Sequence, residues 1–297
     1  MSQIEVVCIG VITMDTIALV DFYPAEDERV LATEISRAGG GPAAVAAVAL
    51  SRLGVSTAIV GTIGDDADGI EVMKIFAREN VDTTGISIGE NATAGSVIVA
   101  SREHSTRAIS TRQPLKQLSL NLAAKNLAMQ ARWLHVDHVG ITQIGEANLL
   151  RGMGPLISFD AGYGAEKFDA SKVDLFVPTD RQLAIRNPAL DLTSAIKVEA
   201  IEARNTVVAT QGSEGSAAFS SETGSIGAPG FKVDVKSTLG AGDVFHGALI
   251  AQLIHGHSLQ EAMRRANAVA ALSCRGLDGQ SMIPTTTELN EYLEAHI

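Results

Sequence analysis

The sequence predicts an α/β fold with a mostly parallel central sheet and helices on both faces. Short, continuous apolar runs rich in β-branched residues recur along the chain, as is typical of strands covered on both sides. Helical stretches separate these runs in the second half, which is the rhythm of parallel strands joined by crossover helices. The runs there are residues 133–137, 156–160, 174–177 and 206–210, and residues 217–219 and 230–235 are predicted as the strands of a following meander.

Composition narrows the class of protein. The 297 residues are 46% hydrophobic, enough for a large core, and no linker divides residues 1–297, so we expect one domain. The net charge of −11 argues against nucleic acid or an anionic membrane as a partner. Cys8 and Cys274 lie in apolar runs and are predicted to be buried, reduced thiols. Without a secretory leader or a membrane-length apolar run, the sequence predicts a cytoplasmic protein.

The first strand is predicted at residues 6–12, and Asp15 follows it. Ligands of α/β sheets collect at the carboxyl ends of strands, which makes Asp15 a candidate site residue. The polar residues 21–37 suit a small strand pair outside the main sheet, where Arg29 is a solvated charge that reaches a ligand if this segment folds over the site. Strand-like pieces at 96–100 and 107–109 follow, with Arg107 and Arg112 as further solvated charges near a possible ligand.

Glycines precede the first helix, which is predicted from Pro42 to Gly54. Gly39, Gly41 and Ala44 loosely match a dinucleotide fingerprint, which raises a nicotinamide-dependent dehydrogenase as a second class of function. The next strand, residues 56–60, ends without an acid for a ribose, and this counts against that class.

Residues 237–248 carry the strongest motif. Gly240 and Gly242 permit backbone conformations in which the N–H groups of Gly240, Ala241 and Gly242 converge on an anion at a helix start. Asp243 stands beside that site as a possible proton acceptor, a combination that suits phosphoryl transfer to an alcohol. A glycine turn with Asp243 capping the helix is the structural alternative.

The triple glycine, the turn at 210–212 and the Gly240-Ala241-Gly242-Asp243 helix start, in that order, resemble the PfkB (ribokinase-like) carbohydrate kinases over essentially the whole chain. The resemblance implies a ribokinase-like three-layer α/β/α fold with a mostly parallel sheet. It also implies a small β lid formed by about residues 12–36 and 93–112. It implies ATP-dependent phosphorylation of a hydroxyl, with a primary one expected, on a sugar or sugar derivative.

The resemblance also implies roles for individual residues. Asp243 is the base, and the N–H groups of Gly240, Ala241 and Gly242 form the anion hole. The sugar is expected at Asp15, Gly39, Gly40, Gly41, Arg29 and Arg107. ATP is expected at Thr179, Asp180, Thr210, Gly212, Gly215, Asn267, Ala271 and Gly276. Mg²⁺ is implied through ATP oxygens and water, near Asp180, with no direct protein ligand. A homodimer through the lid is a further implication.

Three positions depart from the family pattern. Ala44 replaces an asparagine that contacts the sugar, and Ser237 replaces an acid linked to monovalent-cation activation. Residues 179–182 replace an Asn-x-x-Glu motif near the phosphates, which leaves open a catalytically silent sugar- or nucleotide-binding relative.

Alternative substrates within the family also stay open. Residues 39–44, 231–235 and 242–249 are similar to those of sulfofructose kinases, but Thr111 and Val139 stand where that branch has Asn and Arg. Arg107, Arg112 and His138 are candidates for substitute contacts. A sulfofructose kinase and a nucleoside kinase therefore remain alternatives to a kinase of another sugar.

Overall fold

The computed structural model describes residues 3–101, 107–109, 120–162 and 165–296, with the backbone alone for residues 107–109 and 165. The strands are β1 (Val6–Ile9), β2 (Thr13–Val20), β3 (Glu34–Gly40), β4 (Thr57–Gly64), β5 (Asp82–Gly89), β6 (Val97–Ser101), β7 (Arg107–Ile109), β8 (Trp133–Val136), β9 (Leu156–Asp160), β10 (Leu175–Val177), β11 (Thr206–Thr210), β12 (Gly215–Ser220) and β13 (Gly224–Pro229). The α-helices are α1 (Pro42–Arg52), α2 (Ala67–Arg78), α3 (Leu122–Gln130), α4 (Gly140–Glu146), α5 (Asp180–Arg186), α6 (Leu192–Ala203), α7 (Ala241–Ile254), α8 (Leu259–Ser273) and α9 (Thr286–Glu294). No helix among these is long and apolar enough to cross a membrane.

A nine-stranded sheet forms the centre, in the order β13-β12-β11-β10-β9-β8-β1-β4-β5. Neighbouring strands are parallel except for the pairs β11–β12 and β12–β13, which form an antiparallel meander at one edge, so β12 alone runs against the other strands. Helices cover both faces of the sheet. Alternate residues of β1 therefore point into two different cores. Val6 and Cys8 pack with α1, α2, α7, α8 and α9, whereas Val7 and Ile9 pack with α3, α4, α5 and α6. The predicted α/β architecture is confirmed.

A second sheet of four strands, in the order β3-β2-β6-β7, lies beside the first. Strand β2 pairs antiparallel with β3 and parallel with β6, and β7 closes the other edge. These strands come largely from the two segments, about residues 12–36 and 93–112, at which the family resemblance implies a lid.

Two predicted strands differ from the observed ones. The apolar run 6–12 ends its strand at Ile9, and the chain enters β2 at Thr13, so Asp15 lies within a strand of the second sheet and not after a strand of the first. Residues 231–235 form no strand, since the ladder ends at Pro229 and the N–H of Gly230 donates to the carbonyl of Glu214. Pro229 is tolerated because β13 is an edge strand.

The helices α1 and α7 approach each other closely. A Cβ on Gly247 would stand 2.5 Å from the carbonyl oxygen of Ala46, so only glycine permits this separation. The contact packs the second turn of α7 against the second turn of α1.

Candidate active site

The start of α7 is shaped by a left-handed residue. Gly240 has φ +72°, a left-handed conformation that disfavours a side chain. A Cβ there would also lie 2.9 Å from Cα of Gly279, so the available space excludes a side chain as well. Gly242 is exposed and a Cβ would meet no atom within 4 Å, which leaves its backbone open to a ligand. The first turn of a helix leaves its N–H groups without intrahelical acceptors. The N–H of Ala241 is an exception here, because it donates to the carbonyl of Thr238 at 3.3 Å.

Asp243 is half-buried in this first turn and stands among other carboxyl groups. Burial and the carboxylate of Asp160 hold its pKa well above the usual range, and Asp137 and Asp15 add to the effect. After burial, the negative charge of Asp160 is the largest of these influences on the pKa of Asp243. The structure thus brings Asp15, a predicted site residue, to the same acidic cluster as Asp243.

Asp15 is held by the second sheet. Its Oδ1 accepts the N–H of Ser96 at 3.0 Å, and burial raises the pKa of its carboxyl. Gly40, opposite Thr13 in β3, makes room for it, because a Cβ on Gly40 would lie 1.9 Å from Asp15 Oδ2. Position 40 must therefore be glycine to leave space for the carboxylate of Asp15. Gly41 has φ +95° and lies against the carbonyl of Val11. Both its backbone conformation and this close approach require glycine.

Two carboxylates of this cluster were not singled out from the sequence. Asp137 follows β8 and is buried, and its side chain accepts N–H groups from Val11, Val139 and Gly140 at 2.6–3.0 Å. Asp160 ends β9, and its Oδ1 accepts the N–H of Gly162 at 2.8 Å. Both end buried parallel strands, the same signal that drew attention to Asp15.

A pair of histidines lies behind Asp160. The Nε2 atom of His246, one turn after Asp243 in α7, is 3.7 Å from Asp160 Oδ1, and its ring centroid is 5.6 Å from that of His135. Burial holds the pKa of His246 below its usual range and that of His135 at about 3, so both imidazoles are neutral. The neighbours of His135 are Asp160 and His246, and one possible ligand atom from each of the three residues lies within 4.8 Å of the others.

A cleft of about 370 Å³ opens beside the start of α7. Seven of the predicted nucleotide residues line it, as do Ala241 and Gly242: Thr179, Asp180, Thr210, Gly212, Gly215, Asn267 and Ala271. Gly276 is not among the lining residues, since it packs against Ser281 and Met282. The Nδ2 of Asn267 donates to the carbonyls of Ala228 and Pro229, which fixes β13 to α8 at the cleft wall.

Residues 179–182, where the sequence departs from the family pattern, form a complete capping box. Thr179 Oγ1 accepts the N–H of Gln182, and Gln182 Oε1 accepts the N–H of Thr179. This motif starts α5 and leaves Asp180 exposed at the cleft wall. The segment therefore has a structural role of its own.

The remaining predicted sugar contacts lie further out. Arg29 is exposed in the connection that follows the far end of β2 from Asp15. The backbone of Arg107 pairs with Val99, and its side chain lies outside the described part of the chain, as do Thr111 and Arg112. Gly39 faces Gln280 and Ile75, about 3.3 Å from where its Cβ would stand.

Comparison with known proteins places this chain in a family. Residues 3–286 match the pfkB family of carbohydrate kinases. The ribokinase of Haemophilus influenzae is 27% identical over 96% of this chain and 97% of its own. The ATP-dependent ribose-1-phosphate kinase of Halopiger xanaduensis is also 27% identical, over 98% of each chain. An Escherichia coli protein assigned as ribokinase II, in complex with ATP and Mg²⁺, superposes with a TM-score of 0.83 at 21% identity, over 99% of this chain and 100% of the other. The chain belongs to the pfkB family, and its fold is the ribokinase fold.

Proposed function

We propose that this pfkB-family protein transfers the γ-phosphoryl group of ATP to a hydroxyl, with a primary one preferred, of a sugar or sugar derivative. The observation that carries the proposal is the place of Asp243. It lies in the first turn of α7, directly after Ala241 and Gly242 of the cleft wall, and Asp15 is among the carboxylates that raise its pKa. Named relatives act as ribokinase and as ATP-dependent ribose-1-phosphate kinase, which supports a sugar as the acceptor.

In this mechanism Asp243 takes the proton of the acceptor hydroxyl while the hydroxyl oxygen forms its bond to the γ-phosphorus and ADP leaves. The open N–H groups of the first turn of α7, with Gly242 foremost, stabilise the charge on the transferring oxygens. The helix dipole favours the same negative charge. The N–H of Ala241 contributes less, because the carbonyl of Thr238 already accepts it.

ATP and Mg²⁺ fit the residues present. The cleft accommodates a nucleotide beside the α7 start, and the exposed carboxylate of Asp180 at its wall suits a hydrated magnesium ion. When bound, Mg²⁺ supplies charge neutralisation at the phosphate oxygens. Asp180 would orient its water ligands.

The acidic cluster favours a neutral acceptor. Asp15, Asp137, Asp160 and Asp243 lie close enough to perturb one another, so an anionic sugar is repelled at this end of the site. A sulfonated or phosphorylated sugar would need cations beyond these residues, and Arg107 and Arg112 are the candidates from the sequence. A catalytically silent relative is the alternative that the altered residues 179–182 raise.

A screen of ADP release with ATP, Mg²⁺ and a panel of ketoses, aldoses, sugar acids, sulfosugars, sugar phosphates and nucleosides tests both points. We expect the highest rate with a neutral sugar. ATP binding by calorimetry without ADP release from any member would establish the silent relative instead. The highest rate with a sulfosugar or sugar phosphate would contradict the neutral acceptor but retain the kinase.

The role of Asp243 is tested separately. Asp243→Asn is expected to lower kcat by about 10²- to 10⁴-fold, because a positioned general base is worth that much, while the ATP dissociation constant stays unchanged. Asp65→Asn, an exposed acid elsewhere, is the matched control. Turnover by Asp243→Asn at the wild-type rate would remove Asp243 from the mechanism.

We also propose that the second sheet carries a dimer contact. Leu31, Ile35 and Val97 are large apolar residues of this sheet and its connection, with 87%, 69% and 49% of their surface exposed. Exposed apolar side chains clustered on one sheet are typical of an interface.

A further inference from the structure

We infer that His135, Asp160 and His246 form a binding site for a divalent transition-metal ion of the zinc class, buried behind the start of α7. One residue comes from β8, one from the end of β9 and one from α7. One ligand atom from each of the three lies within 4.8 Å of the other two. This site is separate from the magnesium ion proposed for ATP, and the inference does not depend on the kinase reaction.

The spacing of the three side chains suits a single ion. His246 Nε2 and Asp160 Oδ1 are 3.7 Å apart, which is too long for a hydrogen bond. Two ligand atoms on one tetrahedral zinc ion stand about 3.3 Å apart, because the bonds to nitrogen and oxygen are about 2.0–2.2 Å long. A shift of a few tenths of an ångström would therefore bring both atoms into one coordination sphere. The ring of His135 is next to that of His246, with 5.6 Å between the centroids.

Unpartnered ring nitrogens are a second, independent observation. Neither Nδ1 nor Nε2 of His135 has a hydrogen-bond partner within the described part of the chain, and the residue is 0% exposed. Nδ1 of His246 also has none there, and this residue is 4% exposed. Burying a polar atom without a partner is unfavourable, and a neutral imidazole has one lone pair to offer. A metal ion between the rings would bind that lone pair on each of them.

The chemistry of the donors selects the class of ion. Two imidazole nitrogens and one carboxylate suit zinc, whereas magnesium prefers oxygen ligands. Burial holds the pKa of both imidazoles below the usual range, so each lone pair is free at neutral pH. Asp160 supplies one negative charge to offset the ion. Three protein ligands leave a fourth position for water, as in other zinc sites with an open coordination position.

A bound ion would join three elements of the site. It would tie β8 and β9 of the central sheet to α7, and His246 is three residues after Asp243 in that helix. The three ligands meet only in the folded chain, so binding stabilises the fold. With free zinc at a hundred times its dissociation constant, the melting temperature is expected to rise by about 5 °C.

Zinc binding to the whole protein, first dialysed against a chelator, tests the inference. We expect about one equivalent to bind, with the rise in melting temperature, and cobalt to give the visible absorption of a four-coordinate ion. His135→Phe keeps a ring in the buried position but removes both nitrogens, so it should lose the bound equivalent and the thermal shift. The control His255→Phe makes the same change at an exposed histidine after α7 and should keep both.

The wild type and the two variants give distinct outcomes. Absence of zinc binding by the wild type, equal binding by His135→Phe, or loss of binding in His255→Phe would each overturn the inference. If His135→Phe does not fold, the wild type decides: a zinc-dependent thermal shift with the four-coordinate cobalt spectrum supports the site, and absence of either overturns it. A zinc-independent rise in the stability of His135→Phe would identify an ordinary buried imidazole, because removing an unpartnered polar group is stabilising. ADP release is not a readout here, so failure of the proposed kinase activity would be a separate result.

Discussion

Gly40→Ala is the sharpest test of how the second sheet positions Asp15. The new methyl carbon would stand 1.9 Å from Asp15 Oδ2 and 2.6 Å from Thr13 Oγ1, whereas real contacts stay above 3.0 Å. Gly40 has an ordinary backbone conformation, so the effect comes from space alone. The carboxylate of Asp15 must move by more than 1 Å, and its 3.0 Å hydrogen bond from the N–H of Ser96 is weakened or lost.

The magnitude follows from the bond that Asp15 is proposed to make to a sugar hydroxyl. A hydrogen bond to a charged group contributes about 1.5–3 kcal/mol, and every 1.4 kcal/mol is a factor of ten. We therefore expect kcat/KM for the sugar to fall about ten- to a hundredfold. The KM for ATP stays unchanged, because Gly40 and Asp15 are not among the residues that line the nucleotide cleft. Steady-state kinetics with each substrate varied in turn separates the two effects.

The control is another glycine-to-alanine change. Gly145 is exposed in α4, and its Cβ would meet no atom within 4 Å, so Gly145→Ala should leave kcat/KM unaltered and raise helix stability by about 0.5–1 kcal/mol. An unchanged kcat/KM in a folded Gly40→Ala would refute the placement of Asp15 against the sugar. An equal rise of the KM for ATP would refute the separation of the two pockets.

Two further predictions concern stability and assembly. Burial works against the Glu199 carboxylate, but hydrogen bonds from Arg186 and Asn187 outweigh it and leave its pKa below 4.5. The pair therefore stabilises the fold above that pH, and its contribution is lost as pH falls through the lowered pKa. Arg186→Met should cost about 3–5 kcal/mol at pH 7 by urea denaturation and much less at pH 3; a pH-independent difference would contradict this. Ile35→Asp should convert the proposed dimer to a monomer by light scattering, and a wild type that is already monomeric would contradict the dimer.

The large sheet could be predicted from the sequence because each of its strands has a recognisable local sequence pattern. The runs at β8, β9, β10 and β11 are apolar, β-branched and bounded by helical patterns, so each is identifiable without knowing its neighbours. The boundary between β1 and β2 was not predictable in this way. Residues 6–12 form one apolar run, and only the pairing of β2 with β3 and β6 draws the chain into a second sheet.

Only part of the site could be predicted, because some of its residues form local sequence motifs and others meet only in the folded chain. Gly240, Gly242 and Asp243 form a motif of adjacent residues, and seven of the predicted nucleotide residues line one cleft. Asp160 and His246 are 86 positions apart in the sequence, and nothing near either residue reveals the contact. An acid at the end of a buried strand is a pattern that Asp137 and Asp160 also show. Only Asp15 was predicted as a site residue from it.

Two opposing influences act on Asp243, and their sizes decide how strong a base it is. The positive end of the α7 dipole favours its carboxylate by about 0.3–1 kcal/mol, which is less than one pKa unit. Burial opposes ionisation of Asp243, and the charges of Asp160, Asp137 and Asp15 act in the same direction. Because the pKa of Asp243 lies well above its usual range, burial and these carboxylates together outweigh the helix dipole. The same helix start that stabilises the phosphoryl charge would, acting alone, make Asp243 a weaker base, and the buried acidic surroundings offset that effect.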